Sequence, residues 1–323
     1  MKLYPLKFKP IFDYKIWGGS KLKTILNKDY NQDNIGESLE ISDVKGKETK
    51  VLEGNLKGKT LKQLIETFKG NFVGNSVFKR FGNDFPLLIK FIDARTPLSI
   101  QVHPNDELAK KRHNSFGKNE MWYIVQGDND ANLVVGFNQE MSRESYMKHV
   151  QNSSITDVLN VVNVKKGDVF YIPTGRIHAI GAGVLLAEIQ QTSDITYRIY
   201  DYNRVDAKTG LKRELHSGLA IDSIDFGFQE NYKIPYKNEP NKFFKLVHTP
   251  YFKTNIIEVF GAIEKDYSNL DSFVIYMCVD GALEMQCNSS IYNIKKGETI
   301  LLPAILNQIK IRTEKATILE VSM

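Results

Sequence analysis

Along residues 97–106, PLSIQVHPND, the apolar side chains of Leu98, Ile100 and Val102 alternate with Ser99, Gln101 and His103. A period of two is the signature of a β-strand with two different faces. One face of this strand is apolar; the other carries a hydroxyl, an amide and an imidazole in a row. FPLLIKFIDA (85–94) predicts a buried strand, EMWYIVQGD another, and Val161 to Tyr202 a series of strands and turns. Residues 1–55 mix short strands with turns. Helical spacing runs over 59–81 through Leu61, Leu64, Ile65 and Phe68, then Val73, Val77 and Phe78, with Gly70 and Gly74 predicting a break into two short helices. A helix over about 105–116 follows Pro104, with Asn105 or Asp106 as its cap, and another covers about 143–150. Residues 229–242 are polar, carry two prolines and read as a linker, with short strands beyond them.

The strand pattern repeats. VKKGDVFYIPTGRIHAI (164–180) resembles IKKGETILLPAILNQIKI (294–311), matching Gly167 to Gly297 and Pro173 to Pro303, while His178 falls on Gln308. Two related all-β units follow, only the first with a histidine at the matched position of the repeat. Many short strands with Gly and Pro turns indicate barrels or sandwiches, not βαβ units. The expected fold is mainly β, with a first unit at 1–235 and a second at 236–323.

Composition narrows the function classes. The 323 residues carry 43 basic and 38 acidic side chains, a net +5 spread along the chain rather than gathered into a stripe, which argues against nucleic acid and suits, weakly, an anionic small substrate. No apolar run predicts a signal peptide or a membrane span. The two cysteines, Cys278 and Cys287, read as reduced thiols of a cytoplasmic protein, in a hairpin turning at Asp280–Gly281.

The polar row now gains partners. Gln101 and His103, two apart on a strand, project from one face and can share an ion. Glu120 and His178 reach it from neighbouring strands. Two imidazoles, a carboxylate and an amide oxygen suit zinc, with iron(II) or manganese as alternatives. His113, His149, His216 and His248 lack such a pattern and are assigned no role.

This spacing resembles the two cupin signatures, with Gln101 where a histidine is usual and a long insertion between His103 and Glu120. KPIFDYKIWGGSKL, PLSIQVHPND, GKNEMWYI and IPTGRIHAIGAGVLLAEIQQTSDITYRIYDYNR together resemble type I mannose-6-phosphate isomerase in its short bacterial form. The resemblance implies two cupin-type jelly-roll β-barrel units, with helical insertions in the N-terminal one. It implies one Zn²⁺ per chain on Gln101, His103, Glu120 and His178, and places the family's catalytic and substrate-binding groups on Arg198, Lys118, Asp194 and Ser99. Arg198 and Lys118 are each expected to hold phosphate or assist the reaction. Asp194 is expected to act as a base or to orient Arg198. Trp17-Gly18-Gly19 reads as a packed turn, near the site in the family pattern, and Glu188 as a cavity-lining or structural carboxylate. The implied reaction interconverts mannose 6-phosphate and fructose 6-phosphate through an enediol; an iron-dependent dioxygenase and a non-catalytic sugar-binding cupin are the competing readings. If the polar row faces inward, Leu98, Ile100 and Val102 should pack outside, under the helices and the N-terminal segment. Oligomeric state is left open.

Overall fold

The computed structural model describes residues 2–323 and is mainly β. The chain opens with β1 (Phe8–Lys9), β2 (Ile11–Gly19), a single-turn helix α1 (Lys21–Thr24), β3 (Ile35–Ile41) and β4 (Lys50–Val51). The helical spacing over 59–81 resolves into three helices rather than two: α2 (Leu61–Phe68), α3 (Gly70–Val73) and α4 (Asn75–Phe81). Thr60 and Gln63 form a reciprocal capping box that starts α2, whose Leu61, Leu64 and Ile65 are buried. The first break comes at Lys69, whose φ of 50° ends α2, and the second at Gly74.

Next come β5 (Leu87–Ala94), β6 (Ile100–Val102), α5 (Asp106–His113), β7 (Glu120–Gly127), β8 (Asn132–Phe137), α6 (Arg143–Gln151), β9 (Leu159–Asn163), β10 (Val169–Ile172), β11 (His178–Ile180), β12 (Val184–Gln191), β13 (Tyr197–Tyr200) and the short α7 (Ser217–Ala220). Asn105 caps α5 through Leu108 N, and Ser142 caps α6 through Ser145 N. These strands build two sheets. One has the order β10-β7-β12-β5-β2-β3, the other β13-β6-β11-β8-β9.

Strand parity explains the layering. On β5, β7 and β12 the odd-numbered Leu87, Ile89, Phe91, Met121, Tyr123, Val125, Leu185, Ala187 and Ile189 join the largest apolar cluster, which includes Leu64 and Phe72 of α2 and α3. Even-numbered Ile92, Trp122, Ile124, Val184 and Leu186 face the second sheet in another cluster. The first sheet is therefore buried on both faces, which is why FPLLIKFIDA reads as continuously apolar. Ile100 and Val102 face away from the first sheet, packing with Phe137, Tyr146 and Tyr197 beneath α6, not under α2–α4 or the N-terminal segment. Leu98 breaks the expected alternation: it precedes β6 and packs inward with Trp17 and Trp122.

The C-terminal residues form a separate sheet from β14 (Phe244–His248), β15 (Lys253–Asp266), β16 (Val274–Cys287), β17 (Ser290–Lys295), β18 (Thr299–Leu302) and β19 (Gln308–Ser322). Three of these strands are long, not short. Asp280–Gly281 is no hairpin turn: β16 runs through it with register shifts and a Gly281 φ of 74°, so Cys278 and Cys287 lie on one strand, both buried and free. A bulge bends a strand without ending it. The segment 229–242 is bound to the body rather than hanging as a linker. Tyr232 is buried, Ile234 N donates to Val169 O at 2.9 Å and Tyr236 Oη donates to Gly167 O at 2.8 Å.

The largest cluster continues into this sheet through Phe252, Phe273, Ile275, Met277, Leu301 and Leu319. Leu6 and Leu301 exchange backbone hydrogen bonds of 2.8 and 2.9 Å, tying the N-terminal segment to β18. Among the described residues no helix is long and apolar enough to cross a membrane.

Candidate active site

The polar row meets a carboxylate from the facing sheet. Gln101 on β6 pairs in register with His178 on β11 at one side and Arg198 on β13 at the other, so the three stand in line across one sheet. Glu120 starts β7 in the opposite sheet. His103, Glu120 and His178 are almost wholly buried, and one ligand atom from each lies within 4.8 Å of the others. Gln101 completes the group, its Nε2 lying 3.2 Å from His178 Nε2.

The proton inventory of this cluster is unusual. His103 Nδ1 donates to Ile195 O and His178 Nδ1 to Arg176 O, both at 2.8 Å. Each ring therefore turns an Nε2 lone pair inward. Burial, reinforced for His103 by Lys118, pushes the His103 imidazole down to about 3 and lowers His178, so both stay neutral. Burial would raise Glu120, but the Lys118 ammonium beside it holds it well below the usual carboxylate range. The Glu120 oxygens lie 3.3 Å from His103 Nε2 and 3.7 Å from His178 Nε2, and neither accepts a hydrogen bond. Lys118 Nζ, 2.8 Å from Oε1, supplies charge without hydrogen-bond alignment. Gln101 Nε2 and Lys118 Nζ lie 3.2 and 3.4 Å from the His178 and His103 Nε2 atoms, but the two Glu120 oxygens are buried acceptors without a hydrogen bond, which is costly unless a cation joins them. The cluster can hold a metal ion.

Beside it lies a cavity of about 120 Å³, lined by Trp17, Ser99, Gln101, Lys118, Glu188 and Arg198 among others. A neighbouring cavity of about 130 Å³ shares Lys15, Glu37, Lys90, Lys118 and Thr196 with it and adds Asp194. The structure brings Ser99 to Arg198, whose Nε donates to the serine Oγ at 3.3 Å. Lys118 reaches the cluster although β7 begins two residues after it. Asp194 is solvent-exposed at the outer cavity, and the partners of Arg198 are Ser99, Glu214 O and the His216 ring, not Asp194. A larger groove of about 660 Å³ crosses the C-terminal sheet, but its lysines and carboxylates face solvent and no buried donor set converges there.

Sequence reading missed several neighbours. Lys90 Nζ lies 3.2 Å from Glu37 and 2.7 Å from Glu188, Lys15 bonds Glu37 at 2.9 Å, and Trp122 Nε1 donates to Glu188 Oε1 at 2.7 Å. Burial, then the Glu120 charge, raises Glu188, while burial of Lys90 is outweighed by its two carboxylates, which keep it protonated. A lysine at an even position of an apolar strand was the available signal for Lys90. His216, given no role, accepts a hydrogen bond of 3.1 Å from Arg198 N.

Residues 6–132 match the catalytic domain of phosphomannose isomerase type I, and residues 242–321 the cupin domain of mannose-6-phosphate isomerase. The mannose-6-phosphate isomerase ManA of Bacillus subtilis is 35% identical over 314 residues, 96% of each chain. The mannose-6-phosphate isomerase of Streptococcus mutans is 31% identical over 93% of this chain and 92% of its own. The crystal structure of the Bacillus subtilis mannose 6-phosphate isomerase superposes with a TM-score of 0.89 at 31% identity, over 99% of this chain and 100% of that one. Agreement across nearly the whole length of both chains, on a fold whose cleft converges on a buried ligand set, makes this chain a type I mannose-6-phosphate isomerase family member and an isomerase.

Proposed function

We propose that the cleft interconverts mannose 6-phosphate and fructose 6-phosphate, moving a proton between C2 and C1 through an enediol, with one Zn²⁺ held by Gln101, His103, Glu120 and His178. The carrying observation is the convergence of buried ligand atoms from His103, Glu120 and His178, with both Glu120 oxygens lacking a hydrogen-bond donor. When bound, the ion would act as a Lewis acid toward the sugar oxygens, and a ligand set with only one charged member leaves it with net positive charge. Gln101 would serve by turning its amide oxygen to the site. The neutral amide and the insertion carrying α5 favour zinc over an iron oxygenase centre.

Arg198 stays positively charged at neutral pH and offers a planar donor fork to the anionic substrate. Ser99 holds its Nε. The proton transfer falls to Lys118, beside the ligand cluster, or to Asp194, at the outer cavity. The unit at 1–235 carries this chemistry. The unit at 236–323 supports it, both as cupin-type jelly rolls, in a cytoplasmic enzyme with two free thiols.

A coupled assay for fructose 6-phosphate, run on metal-stripped and zinc-reloaded protein beside Arg198→Ala, tests this reading. Turnover should vanish with the metal, return with zinc and fall on the order of 10²-fold or more in the variant. No turnover by zinc-loaded protein, or iron as the metal found on purification, would sink it.

A further inference from the structure

The loop from Asp201 to His216, between β13 and α7, lies beside the cleft. Its tip is pinned to the opposite sheet, where Lys208 Nζ sits 3.4 Å from the centre of the Tyr14 ring on β2. Its returning arm seats Arg198, whose Nη1 donates to Glu214 O at 2.8 Å. Its inner side adds a second guanidinium to the wall of the 120 Å³ cavity, that of Arg213.

Arg213 is held from behind. Its Nε and Nη2 donate to Asp201 Oδ2 and Oδ1 at 2.8 and 2.5 Å. The same carboxylate takes Arg204 Nη2 at 2.5 Å. Arg204 and Arg213 thus share the one buried carboxylate, and the Arg198 guanidinium beside them has no carboxylate partner, because the Glu214 side chain is 84% exposed and turned toward His216. Arg198 Nη2 and Arg213 Nη1 have no hydrogen-bond partner among the described residues. Burial and the neighbouring Arg213 charge both lower the Arg198 guanidinium. Like charges gathered at one end of a cavity, with donors left over, call for an anion between them.

We propose that Arg213, oriented by Asp201, is a specificity-determining residue that clamps the phosphate of the sugar phosphate against Arg198 and Ser99. This rests on the proposed substrate class. It places the phosphate at the loop end of the cleft and the reacting carbons at the ligand cluster. Lys118, at that cluster, is then a proton carrier rather than a phosphate holder. Asp201 is a positioning residue, setting the guanidinium plane.

The test is titration of the zinc-loaded protein with inorganic phosphate at fixed ionic strength, followed by calorimetry, with melting temperatures recorded for each variant. Arg213→Ala and the longer Arg213→Gln should each weaken phosphate binding roughly ten- to a hundredfold, the range for charge-assisted hydrogen bonds. Arg213→Lys should recover part of the loss, and Asp201→Asn should raise KM for mannose 6-phosphate more than it lowers kcat. Unchanged phosphate affinity in a folded Arg213 variant, or a wild type that binds no phosphate, overturns the assignment. Because the titration needs no turnover, a wild type that binds phosphate through Arg213 yet does not isomerise mannose 6-phosphate refutes the proposed reaction alone.

Discussion

The two halves of the molecule share a frame and differ in what they enclose. In the first, Gly167 N donates to Ile124 O, and Lys165 N to Asp168 Oδ2, both at 2.9 Å. In the second, Gly297 N donates to Cys278 O at 2.8 Å, and Lys295 N to Glu298 Oε2 at 2.9 Å. The turn is the same device built twice, each glycine in the left-handed region with φ of 92° and 86°. Register then matches the strands. Ile172 pairs with Glu120 as Leu302 pairs with Val274, so Val274 stands where Glu120 does. Gln308, opposite His178 in the repeat, is exposed. The interior of the second unit holds Ile257, Tyr276, Met285, Ile300 and Ile311 where the first holds His103, Glu120 and His178. A frame of turns fixes strand order and leaves the contents free. Charged contents burden stability unless they are paired or hydrogen-bonded, as Glu320 of the second unit is by Tyr267 and Tyr276.

The sharpest way to break this contrast is to empty the first interior. His103→Leu should lower kcat/KM on the order of 10³-fold and abolish bound metal, with a circular dichroism spectrum like that of the wild type. Loss of fold ahead of activity would mean that the ligand set is structural. Filling the second interior is the reciprocal experiment. Val274→Glu places a carboxylate in apolar surroundings and should cost about 3 kcal/mol or more in denaturant unfolding, while activity per folded molecule stays unchanged. If stability does not move, that interior is not as dry as its lining. The smallest effect separates the two turns. Alanine at either glycine meets left-handed strain of about 1–2 kcal/mol. A Cβ on Gly297 would also fall 2.8 Å from Leu26 Cβ and O, whereas one on Gly167 would meet only Tyr236 Oη at 3.3 Å. Gly297→Ala should therefore be the less stable by thermal melting. The reverse order would place the tighter junction in the first unit.

The sequence made legible what depends on local spacing. The inward run of Gln101 and His103, the asparagine cap of α5 and the β-rich class all follow from patterns within a few residues. Parity also put Gln101 and His103 on one face, and the structure sets that face against Glu120. What spacing missed depends on contacts from afar. Leu98 turns inward because β6 begins only at Ile100. Asp280–Gly281 has the composition of a turn, yet β19 pairs with β16 on both sides of it and carries the strand through. Lys90 and Arg213 have no motif of their own; Lys90 is defined by Glu188 on another strand, and Arg213 by Asp201 at the far end of its own loop.

The exchange of hydrogen bonds between Leu6 and Leu301 bears on how the protein is made. The second partner leaves the ribosome nearly the whole chain after the first. At about 5–20 residues per second, that is a delay of order ten seconds to a minute. Through that interval Leu6 lacks its strand partner, and the outer face of the catalytic sheet, with Ile89, Phe91 and Met121, lacks the Phe273, Met277 and Leu301 side that covers it. The C-terminal sheet therefore closes the sheet that carries Glu120, and the nascent chain carries an uncovered apolar face until it arrives.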